Sequence, residues 1–246
     1  YAFILSLVLL VVLSVSMVSD FFNSDEETPE KEVEVKVLSM DQFRTVPSLG
    51  LEMVWCPPGS FQMGSSLDDT GREEKEVLHQ ATISRGFYIG KYEVTQDQWL
   101  EIMGNNPSFF NGPNRPIERV SWNDAKSFCD KLTQIEKANG ILPDGWFYDL
   151  PTESEWEYAC RAGTRSPFAW GSSIDNTKAN YQSEINSTRE VGFYLSNEWG
   201  LFDMHGNVSE WVYDKKGEYS NTPVVDTIGP KNGYNRIIRG GSWCNE

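Results

Sequence analysis

The chain has 246 residues, 39% of them hydrophobic and 13% aromatic, with nine tryptophans. That is enough apolar material for a sizeable core, and it excludes wholesale disorder. A formal charge of -15, from 36 acidic against 21 basic residues, repels nucleic-acid phosphates and anionic lipid, which excludes nucleic-acid binding as a function class.

From Ile4 to Val18 the sequence is an unbroken run of aliphatic, Ser and Met residues without a charge. Such a terminal run reads as an export signal or membrane anchor, with Ser14 and Ser16 as small residues before a cleavage site; cleavage and retention both stay open. A buried core helix is the weaker reading, because the run is not amphipathic and an acidic stretch follows it at once. Between Asp20 and Glu34 there are seven carboxylates and only Lys31 to offset them, the pattern of a solvated tether. The expected layout is a signal or anchor over 1–19, an acidic linker over 20–45, and one domain over 46–246 that is incomplete at its C-terminus. The protein is accordingly expected to be exported: periplasmic, extracellular, or anchored to the outer side of the cytoplasmic membrane. Only the N-terminal segment would touch membrane.

The domain opens with β patterns at Met53-Val54-Trp55 and Gly59 to Gly64, joined by the Pro57-Pro58-Gly59 turn, then at Ala81-Thr82-Ile83 and Phe87 to Gly90. A charged, turn-rich segment, Leu67 to Glu76, lies between them. Three helices are marked by a Thr or Ser followed three residues later by an acid or amide that can bond back to it: Thr95, Ser121 and Thr152. The apolar stripes are 99, 102 and 103; then 125, 128, 129, 132 and 135; then 156, 159 and 160. They place Cys129 and Cys160 on the inner faces of their helices. Beyond Gly163, turns and isolated aromatics dominate.

Cys56, Cys129, Cys160 and Cys244 form no CxxC pair and no zinc spacing with His79 and His205, the two histidines. Disulfides are the expectation, with three pairings allowed. Neither histidine has a Ser or Cys partner at a recognisable spacing, and His205 reads as a surface residue.

Six blocks follow in order: Gly59-Ser60-Phe61-Gln62-Met63-Gly64, Phe87 to Thr95, Pro116 to Trp122, Leu150 to Arg161, Gly206-Asn207-Val208-Ser209-Glu210-Trp211, and Arg239-Gly240-Gly241-Ser242-Trp243. This series resembles the formylglycine-generating-enzyme, or sulfatase-modifying-factor, family over about residues 50 to 246. The resemblance implies a compact α+β fold, distantly C-type-lectin-like, with little regular secondary structure. It implies an exported protein whose nearest known activity is oxidation of a sulfatase cysteine to formylglycine, with a sulfatase or another exported protein or peptide as partner. A non-catalytic peptide- or glycan-binding module on the same fold is the alternative.

Asp203 to Glu210 sets two carboxylates around a Gly-Asn turn. From spacing alone this is a β-hairpin at Gly206-Asn207 whose acids face water. The resemblance instead implies a structural calcium held by the Asp203 and Glu210 side chains and the Gly206 and Val208 carbonyls, with oxygen ligands suited to a hard cation. The family's second calcium site has a counterpart at Asn180-Tyr181 but not in the shortened loop that follows, and is not carried over. In formylglycine-forming members the Arg-Gly-Gly-Ser motif leads to two cysteine thiolates that bind copper. Here Ser242 and Cys244 are the catalytic candidates. Cys244 stands one place before the family's first active cysteine, where Asn245 sits; such a slip in a strand would turn the side chain to the opposite face. By the same resemblance Cys129 and Cys160 would pair with cysteines further along the chain.

Overall fold

A computed structural model describes residues 7–9, 12–15, 45–67, 72, 76–182 and 185–245. The expected tether, and most of the charged segment between Leu67 and Glu76, lie outside the described residues. The chain is an α+β fold of fourteen described elements: β1 (Leu7–Leu9), β2 (Val12–Val15), β3 (Thr45–Val46), β4 (Leu51–Cys56), β5 (Gly59–Met63), β6 (His79–Ile83), β7 (Phe87–Gly90), α1 (Gln96–Met103), α2 (Trp122–Ala138), β8 (Trp146–Asp149), α3 (Glu153–Arg161), β9 (Ser209–Lys215), β10 (Val224–Val225) and β11 (Arg236–Arg239).

The three helices start where their caps predict. Thr95, Ser121 and Thr152 are each extended N-caps whose side chain accepts from the backbone N–H three residues on, while Gln98, Asp124 and Glu155 bond back to the cap's own N–H. Each reciprocal pair satisfies two of the orphan donors at a helix start. Gly104, left-handed, ends α1.

The strands form three sheets, ordered β3-β4-β7-β2-β8, β10-β6-β5 and β1-β9-β11. Although consecutive, β4 and β5 do not pair: β4 runs antiparallel to β7, with Met53 opposite Gly90, and β5 runs antiparallel to β6. The Pro57-Pro58 turn therefore carries the chain from one sheet to another and closes no hairpin. Within the five-stranded sheet β2 lies antiparallel to both β7 and β8, and β1 runs parallel to β9. The described part of the N-terminal apolar run is thus strand. No helix among the described residues is long and apolar enough to cross a membrane.

One core lies between α1, α2 and the large sheet, where Trp99 stacks on Phe128 with ring centroids 5.3 Å apart. Burying rings of this size contributes about 1.5–3 kcal/mol each. The second core lies around α3, whose Trp156, Ala159 and Cys160 pack against Ile83, Phe87 and Ile89. In α2 the inner stripe ends differently from its apolar pattern. Glu136, not Ile135, is fully buried, and its Oε1 accepts from Ser48 N at 3.3 Å.

Candidate functional site: a carboxylate-flanked turn and the final motif

The turn at Gly206-Asn207 is where distant segments meet. Gly206 has φ +85°, and a Cβ there would lie 2.5 Å from the Asn180 carbonyl oxygen, so only glycine fits. Gly206 N donates to Gly240 O at 2.8 Å, Asn207 N to Asn180 O at 2.8 Å, and Trp243 N to Asn207 O at 2.9 Å. The turn is therefore no hairpin. It makes a parallel bridge to Asn180 and feeds β9. Asn207 is buried at φ +55°, a region asparagine tolerates. Its Nδ2 donates to Glu93 Oε2 at 2.6 Å, and its Oδ1 accepts from Arg189 N and Asn180 Nδ2. Glu93 Oε1 also accepts from Val208 N at 3.2 Å.

Asp203 and Glu210, the predicted cation ligands, are both buried beside this hub. Asp203 Oδ2 accepts from Gly192 N and Glu210 Oε2 from Trp156 Nε1, each at 2.6 Å. Desolvation lifts the Glu210 carboxyl to about 8 and Asp203 to about 6. It also raises Glu93 well above the usual range, with the charges of Asp203 and Glu210 adding to the effect. The charges of Asp203 and Glu210 thus reach Glu93 through low dielectric, and a cation between Asp203 and Glu210 would offset them. Asn180 Oδ1 is buried beside them without a donor. This all-oxygen set fits a hard cation. Among the described residues no three His, Cys, Asp or Glu side chains cluster as a metal site. A cation here would therefore rest on two carboxylates plus backbone oxygens, Gly206 and Val208 being the candidates.

After β11 the chain turns through Gly240 and Gly241, both left-handed. Ser242 is buried, and its Oγ donates to Asn245 Oδ1 at 2.6 Å and lies 3.4 Å from Cys244 Sγ. Residues 240–245 are turn, not strand, so the face-flipping expected for a one-residue slip does not apply to Cys244. Cys244 is exposed, and Trp243 meets Phe110 edge-on at 5.4 Å. All four cysteines are free, so the expected disulfides do not form among them. Burial raises the Cys56 and Cys129 thiols and pushes Cys160 up to about 12. One thiol, at Cys244, is thus accessible, and the other three are locked as buried thiols.

A family model for the sulfatase-modifying factor enzyme 1-like domain matches residues 38–246. The chain belongs to that family. It is 35% identical over 204 residues to the chaperone protein LppX of Paenibacillus barcinonensis, covering 65% of this chain and 70% of that one. It is 27% identical over 242 residues to the mouse formylglycine-generating enzyme, covering 89% of this chain and 60% of the enzyme's length. Among solved structures, Treponema denticola variable protein 1 superposes with a TM-score of 0.70 at 29% identity, covering 82% of this chain and 87% of that one. One domain thus recurs in proteins with different names.

In this member of the sulfatase-modifying-factor family, His205 is half-buried, not the surface residue expected of it. Its ring meets Phe168 and Trp170 edge-on, its Nε2 accepts from Ala169 N at 3.3 Å, and Cys160 Sγ lies 3.6 Å from the same nitrogen. Burial holds the imidazole neutral, with its pKa down to about 4. It lines a cavity of about 330 Å³ together with Trp156, Glu157, Arg161 and Arg239. Arg239 bridges Glu153 and Glu157, and Arg161 pairs with Glu157. Sequence reasoning missed this network and also missed Glu93. A signal existed for the first. Glu153 and Glu157 are four apart on one helix face, a repulsive spacing that asks for a cation between them.

Proposed function

We propose that this domain is a binding module that holds a segment of another exported protein without oxidising it, using the face around Cys244. The observation that carries this reading is Asn245, which stands where the resemblance places the first active cysteine of formylglycine-forming members, beside the exposed Cys244. The face itself suits an apolar peptide. Phe109 is 57% exposed and continues through Phe110 into Trp243. A relative named a chaperone accords with handling a protein client.

The test is to incubate the full chain with copper, oxygen and a fluorescent cysteine-containing sulfatase peptide. Saturable binding that Phe109→Ala weakens, without aldehyde in the peptide, is expected. Aldehyde formation would establish the oxidase instead, and absence of both would retire the peptide reading. One observation favours the oxidase as second reading: Ser242 Oγ stands 3.4 Å from Cys244 Sγ at a motif tied to the carboxylate turn.

We also propose export directed by the N-terminal apolar run, and a structural calcium at Asp203 and Glu210. The family match begins at residue 38, beyond that run. Cleavage after residue 19 would remove β2 from between β7 and β8, so the N-terminus of the exported protein is the informative measurement. A cytoplasmic protein with an intact N-terminus would overturn the export reading.

A further inference from the structure

A second cavity, of about 610 Å³, opens between the start of α2 and the β9–β11 ribbon, away from Ser242 and Cys244. Its aromatic walls are fixed. Trp122 Nε1 donates to Val212 O at 2.9 Å and Trp211 Nε1 to Val120 O at 3.2 Å, so both indoles spend their polar atom on backbone and hold their ring planes in place. Tyr234, on the rim, is fully exposed. Arg236 sits over Trp122, its Cζ 3.5 Å from the ring centroid, and one guanidinium nitrogen is anchored on Tyr213 O at 2.6 Å.

The charge of this cavity opposes that of the molecule. In a protein of net charge -15, the described residues lining it include Lys216 and Arg236 and not one acid. The neighbouring acid, Asp124, is committed to the helix cap, where its carboxylate accepts from Ser121 N and Oγ. Among the described residues neither Lys216 nor Arg236 is ion-paired, unlike Arg161 and Arg239 of the other cavity, which Glu157 and Glu153 neutralise. The side-chain amides of Asn123 and Asn235 complete the walls.

We propose that this cavity binds an anionic oligosaccharide, of the uronic-acid class, independently of calcium and of the peptide face. With Arg236 occupying a face of Trp122, the fixed Trp211 ring and the exposed Tyr234 ring are the ones left to attract the positively polarised C–H face of a pyranose, because an aromatic ring is negative above its plane. Amides match hydroxyls as both donor and acceptor. A planar guanidinium beside an ammonium meets the sugar carboxylate with charge-assisted hydrogen bonds. The remaining acids of the protein do not forbid this. At about 0.1 M salt the screening length is about 10 Å, so distant carboxylates are damped while contacts at hydrogen-bond distance persist.

The experiment titrates the full chain calorimetrically with a galacturonate oligomer, in 0.1 M salt with a chelator present, against a neutral oligosaccharide of equal length and a polyglutamate peptide. Tyr234→Ala and Lys216→Ser alter only exposed side chains, and melting curves verify their folding. The uronate is expected to bind, the neutral sugar to bind about tenfold more weakly or not at all, and each variant to lose about five- to tenfold in affinity for the uronate. Absence of uronate binding, equal binding of the neutral sugar, or full affinity in both variants overturns the proposal. Binding of polyglutamate but not of uronate would make the cavity an acidic-peptide site and overturn it equally. Failure here leaves the peptide face untouched, because neither variant alters a residue of that face.

Discussion

Asn207 Nδ2 and Glu93 Oε2 meet at 2.6 Å across 114 residues of sequence, and both residues are buried. Through this contact the segment after β7 is fastened to the turn that also grips Asn180, Arg189 and the final motif. Removing the Asn207 amide would leave Glu93, Arg189 N and Asn180 Nδ2 each short of a partner in low dielectric, and would place alanine at a positive φ. Asn207→Ala should cost about 3 kcal/mol. In a domain of this size that is a fall of about 6–12 °C in melting temperature. Calorimetry showing a change within 1 °C would mean that the turn is not the hub its contacts suggest.

Calcium should stabilise the same turn. Asp203 Oδ2 and Glu210 Oε2 accept from Gly192 N and Trp156 Nε1, so Oδ1 and Oε1 are the oxygens a cation would take. A cation held there at a hundred times its dissociation constant would add about 2.7 kcal/mol. Melting of the protein should therefore rise on adding calcium and fall with chelator, and Glu210→Gln should flatten the response. Identical melting curves in calcium and chelator would remove the site.

What could be seen in the sequence was local. Thr95, Ser121 and Thr152 announce helices because a capping box needs only four residues, and the stripes of α2 and α3 follow from helical spacing. The jump of the Pro57-Pro58 segment between sheets has no periodic signature, and an uninterrupted apolar run serves a buried strand as well as an export segment. Of the candidate site, Asp203 and Glu210 were visible through resemblance, and both are buried, one before the Gly206-Asn207 turn and one after it in β9. Glu93 was missed, although an acid three residues after the wholly buried strand β7 asks for a partner. His205 was misjudged because Phe168, Trp170 and Cys160, which enclose it, come from separate parts of the chain.

Thiol chemistry gives a direct reading of the site. In the native protein a small alkylating reagent should label Cys244 alone, while Cys56, Cys129 and Cys160 react only after unfolding, being buried with raised thiol pKa values. Peptide mapping by mass spectrometry distinguishes the four. Cys244→Ser should leave stability within about 0.5 kcal/mol, as for other exposed substitutions. Native labelling of Cys160 at a rate matching Cys244 would show that the cavity beside His205 opens to solvent, contrary to the enclosed arrangement.

Asp214 should impose a pH dependence of known sign. It is buried in β9, with Oδ2 accepting from Glu153 N at 2.8 Å, and desolvation lifts its carboxyl to about 7, with the nearby Glu153 and Glu155 charges adding to the rise. In the unfolded chain the group titrates near pH 4, the ordinary range for an aspartate. Between about pH 4 and pH 7 the folded protein therefore binds a proton that the unfolded chain lacks, so stability falls as pH rises through this window and levels off above it. Asp214→Asn keeps an acceptor for Glu153 N and removes the titration. Its stability relative to the parent should be smallest near pH 4 and grow steadily toward pH 7, as read from denaturant midpoints at half-unit steps. Two parallel curves would show that Asp214 carries its charge in the folded protein, and burial would then not be the dominant influence on it.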